Sequence, residues 1–292
     1  MNGILIALAL ASIGQPAAET KAAKYPKQEL LAEVEDVSTG KSGVSLLLLD
    51  SRPRKEYVAG HIPGAIWVNH SDWAKSFADG KDNQGWSERI GALGINLEST
   101  VVVYDDAQSK EAARIWWILR YWGVNRARLL NGGWPAWKKT GSHLADMETR
   151  PVATNPRLTP NPGRLATKDQ IMNSRNPSTA QIIDTRSAAE HCGDLKMAIR
   201  NGSIPGAIHL EWSEVIRKDD GRFKTADELT KLFSASKIDL NNPQITHCQS
   251  GGRAAVMAFA MELMGGKQVQ NYYKSWAEWG NAEDTAIEIP KK

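Results

Sequence analysis

The chain has 292 residues, which is long enough for two ordinary domains with cores of substantial size. Charged residues make up 24% and hydrophobic residues 41%, a soluble globular composition that argues against a disordered or membrane-embedded protein. The formal net charge of +3 is small and gives no support for nucleic acid as a partner. This net charge does not exclude a locally basic cleft.

The first element is an apolar leader. Residues 4–13 form an uncharged run that has the length of a signal-peptide core and is too short to span a bilayer. Small residues follow it and would suit a peptidase, but no Lys or Arg precedes the run. We predict that residues 1–23 are a signal peptide and that the mature protein is periplasmic and not membrane-bound. The alternative is a cytoplasmic protein whose leader has no targeting role.

The following elements belong to the first copy of a repeat, which we place at residues 24–145. An apolar run ends in residues 50–52 (DSR) and is followed by residues 60–66 (GHIPGAI). A second apolar run, residues 101–104, precedes an Ala-rich stretch of helical length and two spaced tryptophans.

The segment at residues 146–163 separates this copy from the next. It contains four prolines and little apolar content. Such a composition is typical of an extended interdomain linker.

The second copy, residues 164–292, repeats the same order of features. An apolar run ends in residues 184–186 (DTR) and is followed by residues 202–208 (GSIPGAI). The run at residues 244–247 precedes Cys248, and an Ala-rich stretch and spaced tryptophans close the copy. A repeat of this length indicates a duplicated domain.

Continuous rather than alternating apolar runs in both copies indicate strands that are buried on both faces of a sheet. Amphipathic stretches separate these runs along the chain. The predicted fold class is therefore α/β, with two tandem domains that each contain a parallel sheet flanked by helices.

Cys248 stands at the end of a predicted strand, before a short loop and a helix. Gly251 and Gly252 permit the close or left-handed backbone that lets N–H groups surround the sulfur. The positive end of the helix points to the same place, and Arg253 adds a cation. These features favour thiolate over thiol and would equally stabilise a negatively charged persulfide. A lone cysteine is usually a buried small hydrophobe, but packing alone does not require two glycines and an arginine here.

The repeated motifs and the cysteine loop resemble the tandem rhodanese family. The resemblance rests on both D-x-R and G-x-I-P-G-A pairs, on residues 131–134 (NGGW) and on residues 248–253 (CQSGGR), and it covers nearly the whole chain after about residue 24. It implies two rhodanese-like domains of which only the C-terminal one is catalytic, because the first copy has Asp105 or Asp106 where the second has Cys248.

The resemblance also implies the reaction of a thiosulfate sulfurtransferase (rhodanese). The Cys248 thiolate takes a sulfur from a donor, and cyanide or a thiol then removes it, which predicts ping-pong kinetics. The predicted substrate-binding residues of the loop are Gln249, Ser250, Gly251, Gly252 and Arg253.

Asp184 and Arg186 resemble family residues that order the wall of the active site. We predict a supporting role for Asp184 and a substrate-binding role for Arg186, although the same motif in the first copy leaves a purely structural ion pair open. Two-domain relatives often carry a further arginine where this chain has Glu190; Lys196 or Arg200 could substitute for it.

Three other side chains are candidates of lower rank. His61 lies in the copy without the cysteine, where the catalytic copy has a serine, so we expect a structural role. His247 precedes Cys248 and should point to the opposite side of the strand. Cys192 is expected to be a bystander, the alternative being a disulfide that resolves an oxidised Cys248.

The identity of the sulfur donor is the most open point. Within the family, two cations directly after the cysteine resemble thiosulfate users, whereas Gly-Ser resembles 3-mercaptopyruvate users. Gln249-Ser250 falls between these patterns, and Arg253 could supply the charge. We favour thiosulfate, with 3-mercaptopyruvate as the alternative.

Two rival functions remain. A phosphatase or arsenate reductase needs five residues between Cys and Arg, whereas only four separate Cys248 from Arg253, which leaves room for one sulfur atom rather than a phosphate. A sulfur-relay module that serves a protein acceptor would have the same loop.

No cofactor is expected. The two cysteines show no metal-ligand spacing, so we predict no metal site. No dinucleotide fingerprint or Walker loop follows a strand. The predicted partners are a small sulfur donor and a thiol or cyanide acceptor. We expect a monomer, because the duplication already buries one domain against the other.

Overall fold

The computed structural model describes residues 23–38, 46–173 and 180–290. The predicted signal peptide lies outside these ranges apart from its last residue. Within them, no helix is both long enough and apolar enough to cross a membrane.

The first half of the chain forms a five-stranded parallel sheet in the order β1-β5-β4-β2-β3. Its strands are β1 Leu31–Ala32, β2 Leu46–Asp50, β3 Ala65–Trp67, β4 Thr100–Tyr104 and β5 Ala127–Leu130. The helices are α1 Val34–Ser38, α2 Arg54–Ala59, α3 His70–Ser76, α4 Asn83–Gly91, α5 Lys110–Tyr121 and α6 Gly133–Lys139. A 3-10 turn at Gln28–Leu30 leads into β1.

The second half forms a four-stranded parallel sheet in the order β7-β6-β8-β9. Its strands are β6 Gln181–Asp184, β7 Ile208–His209, β8 Gln244–His247 and β9 Val269–Asn271. The helices are α7 Lys168–Asn173, α8 Ala188–His191, α9 Ala226–Ala235, α10 Gly252–Leu263 and α11 Ser275–Trp279, with 3-10 turns at Pro162–Arg164 and Trp212–Val215.

The two sheets follow the same plan, which confirms the predicted α/β class with duplicated parallel sheets. β2, β3, β4 and β5 of the first sheet correspond to β6, β7, β8 and β9 of the second. In place of β1, the second sheet has a single parallel bridge from Leu165 to Asn271.

Each sheet is covered on both faces, as its continuous apolar strands require. In the first sheet, Leu49 and Val101 pack into a core that extends into the second domain. Their neighbours Leu48 and Val102 pack into a separate outer core beneath α2 and α6. The second sheet has its own outer core, which includes Trp276. Because successive side chains point to opposite faces, a strand that is buried on both faces needs apolar residues at successive positions.

The shared core is centred on α5 and α10, which lie against each other at the domain interface. Both helices are apolar around nearly their whole circumference, which is the pattern of a helix buried on all sides. Trp116 of α5 meets Phe259 of α10 edge to face, with ring centroids 4.8 Å apart. One turn further along, near the C-terminal end of α10, Arg164 forms a two-pronged ion pair with Glu262. The two domains therefore meet through a continuous apolar core.

The proline-containing segment lies along the first domain. Thr154 donates its backbone N–H to the carbonyl of Gly91, and Asn161 donates to the carbonyl of Tyr121. These contacts lead the chain back to α5 before the second sheet begins.

Candidate active site

Cys248 lies between the end of β8 and the start of α10, at the carboxyl edge of a parallel sheet. The loop reaches the helix through Gly251, whose φ of +85° is in the left-handed region. A β-carbon on Gly251 would lie 2.8 Å from the carbonyl oxygen of Tyr273. Only glycine meets both requirements, so the backbone can close tightly over the cysteine.

The Cys248 sulfur is enclosed by the protein. The residue is 1% exposed, and the N–H of Gly251 donates to its Sγ at 3.1 Å. The backbone of Cys248 is fixed as well, because its N–H donates to Ser275 Oγ at 3.1 Å and its carbonyl accepts from Trp276 at 3.0 Å. The twelve-residue helix α10 directs its positive end to the same loop. This setting favours negative charge on the sulfur.

The first domain shows which of its residues matches Cys248. Asp50 pairs with Tyr104 across β2 and β4, and Asp184 pairs with His247 across β6 and β8. The residue after each strand is therefore Asp105 in one copy and Cys248 in the other. The carbonyl of Asp105 also accepts from Trp134, as that of Cys248 accepts from Trp276. This register decides between the two aspartates that the sequence left open.

Asp105 shows that this kind of loop holds an anion. Its buried carboxylate accepts four backbone N–H groups, from Ala107, Ser109, Glu111 and Ala112. Burial raises the pKa of Asp105 and the N–H donors oppose that shift. Donors fill both oxygens, which is the pattern of the ionised form. The duplicated loop thus holds a buried carboxylate in one domain and a buried cysteine sulfur in the other.

Arg253 and Glu190 form an ion pair beside the sulfur. The guanidinium donates to both carboxylate oxygens, at 2.6 and 2.8 Å. Burial works against the charge of Arg253, but the hydrogen bond to Glu190 and the Cys248 sulfur raise its pKa overall. Glu190 also accepts from the N–H and hydroxyl of Ser187, which caps α8. Glu190 therefore fixes the position of the Arg253 guanidinium through both carboxylate oxygens.

Arg186 is turned into the protein and not toward Cys248. It is 1% exposed, and its guanidinium donates to Asp184 and to the carbonyl of Gly202. In the first domain, Arg52 makes the same contacts with Asp50 and with the carbonyl of Gly60. Because both copies share the arrangement, we assign Arg186 a structural role in place of the predicted substrate contact. Asp184 is fully buried and accepts from this arginine, and its supporting role stays a prediction.

The remaining loop side chains differ in orientation. Gln249 donates its amide to the carbonyl of Met197 at 3.0 Å, which links the loop to the segment after α8. Ser250 is exposed. Of the two cations considered as substitutes, Arg200 is bound to carbonyls of the C-terminal segment, including that of Thr285 at 2.9 Å, whereas Lys196 is exposed. Of these two cations, Arg200 is held by the C-terminal segment, and Lys196 stays the candidate substitute.

The histidines and the second cysteine take varied positions. His61 is buried and stacks on Tyr57 in the first domain, as a structural residue would. His247 is buried 3.9 Å from the Asp184 carboxylate, and burial lowers its pKa to about 4. It is therefore neutral near pH 7 and adds no positive charge. Cys192 is a free, half-buried thiol at the end of α8.

Two residues that sequence reasoning missed support the cysteine loop. Ser275 holds the Cys248 N–H and donates to the carbonyl of Tyr272 at 2.7 Å. The first copy has Gly133 at the equivalent position before its tryptophan. This difference between the copies is the one feature of the sequence that distinguishes Ser275. Arg114 of α5 reaches the loop from the first domain, and no local pattern points to it.

An open cavity of about 490 Å³ lies between the domains beside this loop. Ser250 and Tyr273 form part of its wall, together with the cationic side chains Lys75, Arg114 and Lys274. One carboxylate, Glu278, also lines it and pairs with Lys274 at 3.2 Å. The cavity is thus predominantly basic. No group of His, Cys, Asp and Glu in the described ranges is arranged to hold a metal ion.

Comparisons with known proteins agree with the duplication. The family model described as the rhodanese-like domain matches twice, over residues 28–140 and 167–282. The chain is similar to 3-mercaptopyruvate sulfurtransferase of Escherichia coli strain K12, with 30% identity over 83% of this chain and 88% of that protein. It is equally similar to thiosulfate sulfurtransferase of Bos taurus, with 30% identity over 84% of this chain and 88% of that protein.

Among solved structures, the chain resembles an anaerobic ergothioneine biosynthesis enzyme from Chlorobium limicola, described in complex with its natural substrate trimethyl histidine. The TM-score is 0.83 at 22% identity, and the match covers 92% of this chain and 72% of that one. At this identity the likeness shows a shared fold.

Proposed function

The chain belongs to the rhodanese family, with one rhodanese-like domain in each half, and we propose that it moves a sulfane sulfur from thiosulfate to cyanide or a thiol through a persulfide on Cys248. The observation that carries this proposal is the enclosed Cys248 sulfur, which accepts the Gly251 N–H at the amino end of α10. The curated relatives named above are sulfurtransferases, which supports the same reaction class.

The proposed reaction has two steps. The Cys248 thiolate attacks the outer sulfur of thiosulfate, a Cys–S bond to that sulfur forms, and the S–S bond of thiosulfate breaks to release sulfite. Cyanide or a thiolate then attacks the outer sulfur of the persulfide, and the electron pair of the broken bond returns to Cys248. The Gly251 N–H and the helix dipole stabilise the anionic sulfur in both the resting and the persulfide state.

Thiosulfate is the proposed donor because it is a dianion and the interdomain cavity is lined by three cations, Lys75, Arg114 and Lys274. 3-Mercaptopyruvate carries one negative charge and gains less from this field. Initial rates with the two donors at equal concentration distinguish thiosulfate from 3-mercaptopyruvate as the preferred donor. We expect the higher rate with thiosulfate, at a KM that rises with ionic strength. A clear preference for 3-mercaptopyruvate would identify it as the donor.

The rival functions are tested with the same protein. Turnover of p-nitrophenyl phosphate that is lost in Cys248→Ser would overturn the sulfurtransferase proposal. Discharge of the persulfide only by a protein partner, and not by cyanide or small thiols, would establish a sulfur relay. We expect no phosphatase turnover and efficient discharge by small nucleophiles.

We further propose that residues 1–23 direct export to the periplasm and that the mature protein is a monomer. The apolar run of residues 4–13 supports export, and the core shared by the two domains supports the monomer. Expression with the native leader should yield a periplasmic protein whose N-terminus lies near residue 24. A cytoplasmic, full-length product or a dimer in light scattering would contradict these proposals.

A further inference from the structure

Arg114 crosses the domain interface to reach the catalytic loop. It lies on α5 of the domain without the cysteine, and its Nη1 donates to the carbonyl oxygen of Ser250 at 2.7 Å. The same nitrogen donates to the hydroxyl of Tyr273 at 3.1 Å. An arginine of the first domain is therefore hydrogen-bonded to the backbone two residues after Cys248.

The peptide between Ser250 and Gly251 connects this arginine to the sulfur. Its carbonyl accepts from Arg114, and its N–H donates to Cys248 Sγ at 3.1 Å. In a planar trans peptide the carbonyl and the N–H point in opposite directions. A cation that holds the carbonyl on one side consequently directs the N–H to the sulfur on the other and also polarises it. We propose that Arg114 is a positioning residue that aligns and polarises this peptide to stabilise negative charge on Cys248.

The charge of Arg114 fits this role. Burial works against the charged form, but the neighbouring Tyr273 oxygen and the Cys248 sulfur raise its pKa overall. The guanidinium is thus a permanent cation close to the reacting sulfur. It adds to the field of the helix end and of Arg253, whose own charge is balanced by Glu190.

Gly252 gives a second, independent indication. It is the first residue of α10, and its backbone is not in the left-handed region. A β-carbon at this position would collide with the guanidinium of Arg114. The two glycines of the loop therefore have separate reasons: Gly251 permits the turn and Gly252 leaves room for Arg114.

The first domain thereby gains a role at the catalytic loop. The domain lacks a reactive cysteine, yet it contributes a cation that acts through the catalytic loop. The effect on turnover rests on the proposed sulfur transfer, whereas the effect on the sulfur's ionisation does not, so the two can fail separately.

The test follows the ionisation of Cys248 directly. In a Cys192→Ser background, the alkylation rate of Cys248 by iodoacetamide is measured across pH by intact mass. Arg114→Met removes the charge and the donors at similar side-chain length. We expect it to move the half-maximal pH of alkylation upward by roughly one unit. Turnover with thiosulfate should fall about 10- to 100-fold, and Arg114→Lys should recover part of both losses.

Arg120→Met is the matched control. Arg120 lies on the same helix and crosses the same interface to Glu262 at 3.7 Å, at the far end of α10. It should leave the alkylation profile unchanged. If Arg114→Met does not fold, Gly252→Ala displaces the guanidinium from the other side and should shift the profile in the same direction.

An unshifted profile in Arg114→Met, or an equal shift in Arg120→Met, would overturn the proposal, because the arginine would then act only in domain docking. If no donor supported sulfur transfer, the proposed function would fail while the alkylation profile still reported on Arg114.

Discussion

Replacing Gly251 by alanine tests the tight loop around Cys248. Gly251 has a φ of +85°, and its N–H is a hydrogen-bond donor to the sulfur. A β-carbon there would lie 2.8 Å from both a ring carbon and the carbonyl oxygen of Tyr273. Because real contacts of this kind are longer, the loop must move and carry the N–H away from Cys248.

The magnitude has two parts. An alanine at a left-handed φ costs about 1–2 kcal/mol, and forcing a group into an occupied space adds about 1–3 kcal/mol. Gly206→Ala isolates the first part, since Gly206 has a φ of +75° and nothing lies within 4 Å of its added β-carbon. Misplacing one N–H that stabilises a reacting anion lowers turnover by roughly 10²-fold.

Urea unfolding and thiocyanate formation from thiosulfate and cyanide are measured on both variants, with rates expressed per folded molecule. Gly206→Ala should lose about 1–2 kcal/mol of stability and keep its rate. Gly251→Ala should lose more stability and about 99% of its rate. Wild-type turnover in Gly251→Ala would refute the reasoning that this N–H stabilises the sulfur.

Ion pairs and a buried histidine give three more tests. Arg186→Gln and Arg52→Gln should each lower the unfolding free energy by about 3 kcal/mol, since each leaves a buried aspartate without its main partner. Loss of turnover per folded molecule in Arg186→Gln alone would instead support a substrate role. Glu190→Gln frees the Arg253 guanidinium for an anionic donor, so the KM for thiosulfate should fall a few-fold; a rise would contradict this account. The pKa of His247 is about 4 in the folded protein against a usual 6.5, so unfolded chains bind the proton first as pH falls. Its contribution to stability is complete above pH 6.5 and is lost toward pH 4, at up to about 1.4 kcal/mol per pH unit. His247→Phe should flatten this slope in urea unfolding, and an unchanged slope would contradict the assignment.

The duplication made most of the fold predictable. Two copies with the same order of apolar runs and turn motifs indicated two parallel sheets, and the position of Cys248 after a strand followed from the run at residues 244–247. The match to Asp105 rather than Asp106 needed the structure. An apolar run locates a strand, but its register against the neighbouring strand depends on hydrogen bonds that a single sequence does not display.

The directions in which the side chains of the site point could not be predicted from the sequence either. The D-x-R motif placed Arg186 near the site, but its contacts with the carbonyl of Gly202 and the ring of Trp276 turn it inward. Arg114 was missed because it meets Ser250 across 136 residues of chain through the docking of two helices. Glu190 stands where the family often has an arginine, and its partner Arg253 lies 63 residues further along the chain. Each of these contacts is long-range, and local patterns carry no information about them.

The persulfide on Cys248 is the central claim, and intact mass measures it most directly. The purified protein is incubated with thiosulfate, freed of donor and weighed, and the modified cysteine is located by peptide mapping. We predict a gain of one sulfur atom on Cys248, matched by released sulfite and reversed by cyanide with formation of thiocyanate. Cys192→Ser should behave like wild type, and Cys248→Ser should gain nothing. An unchanged mass, a sulfur on Cys192, or thiocyanate formation by Cys248→Ser would contradict the account.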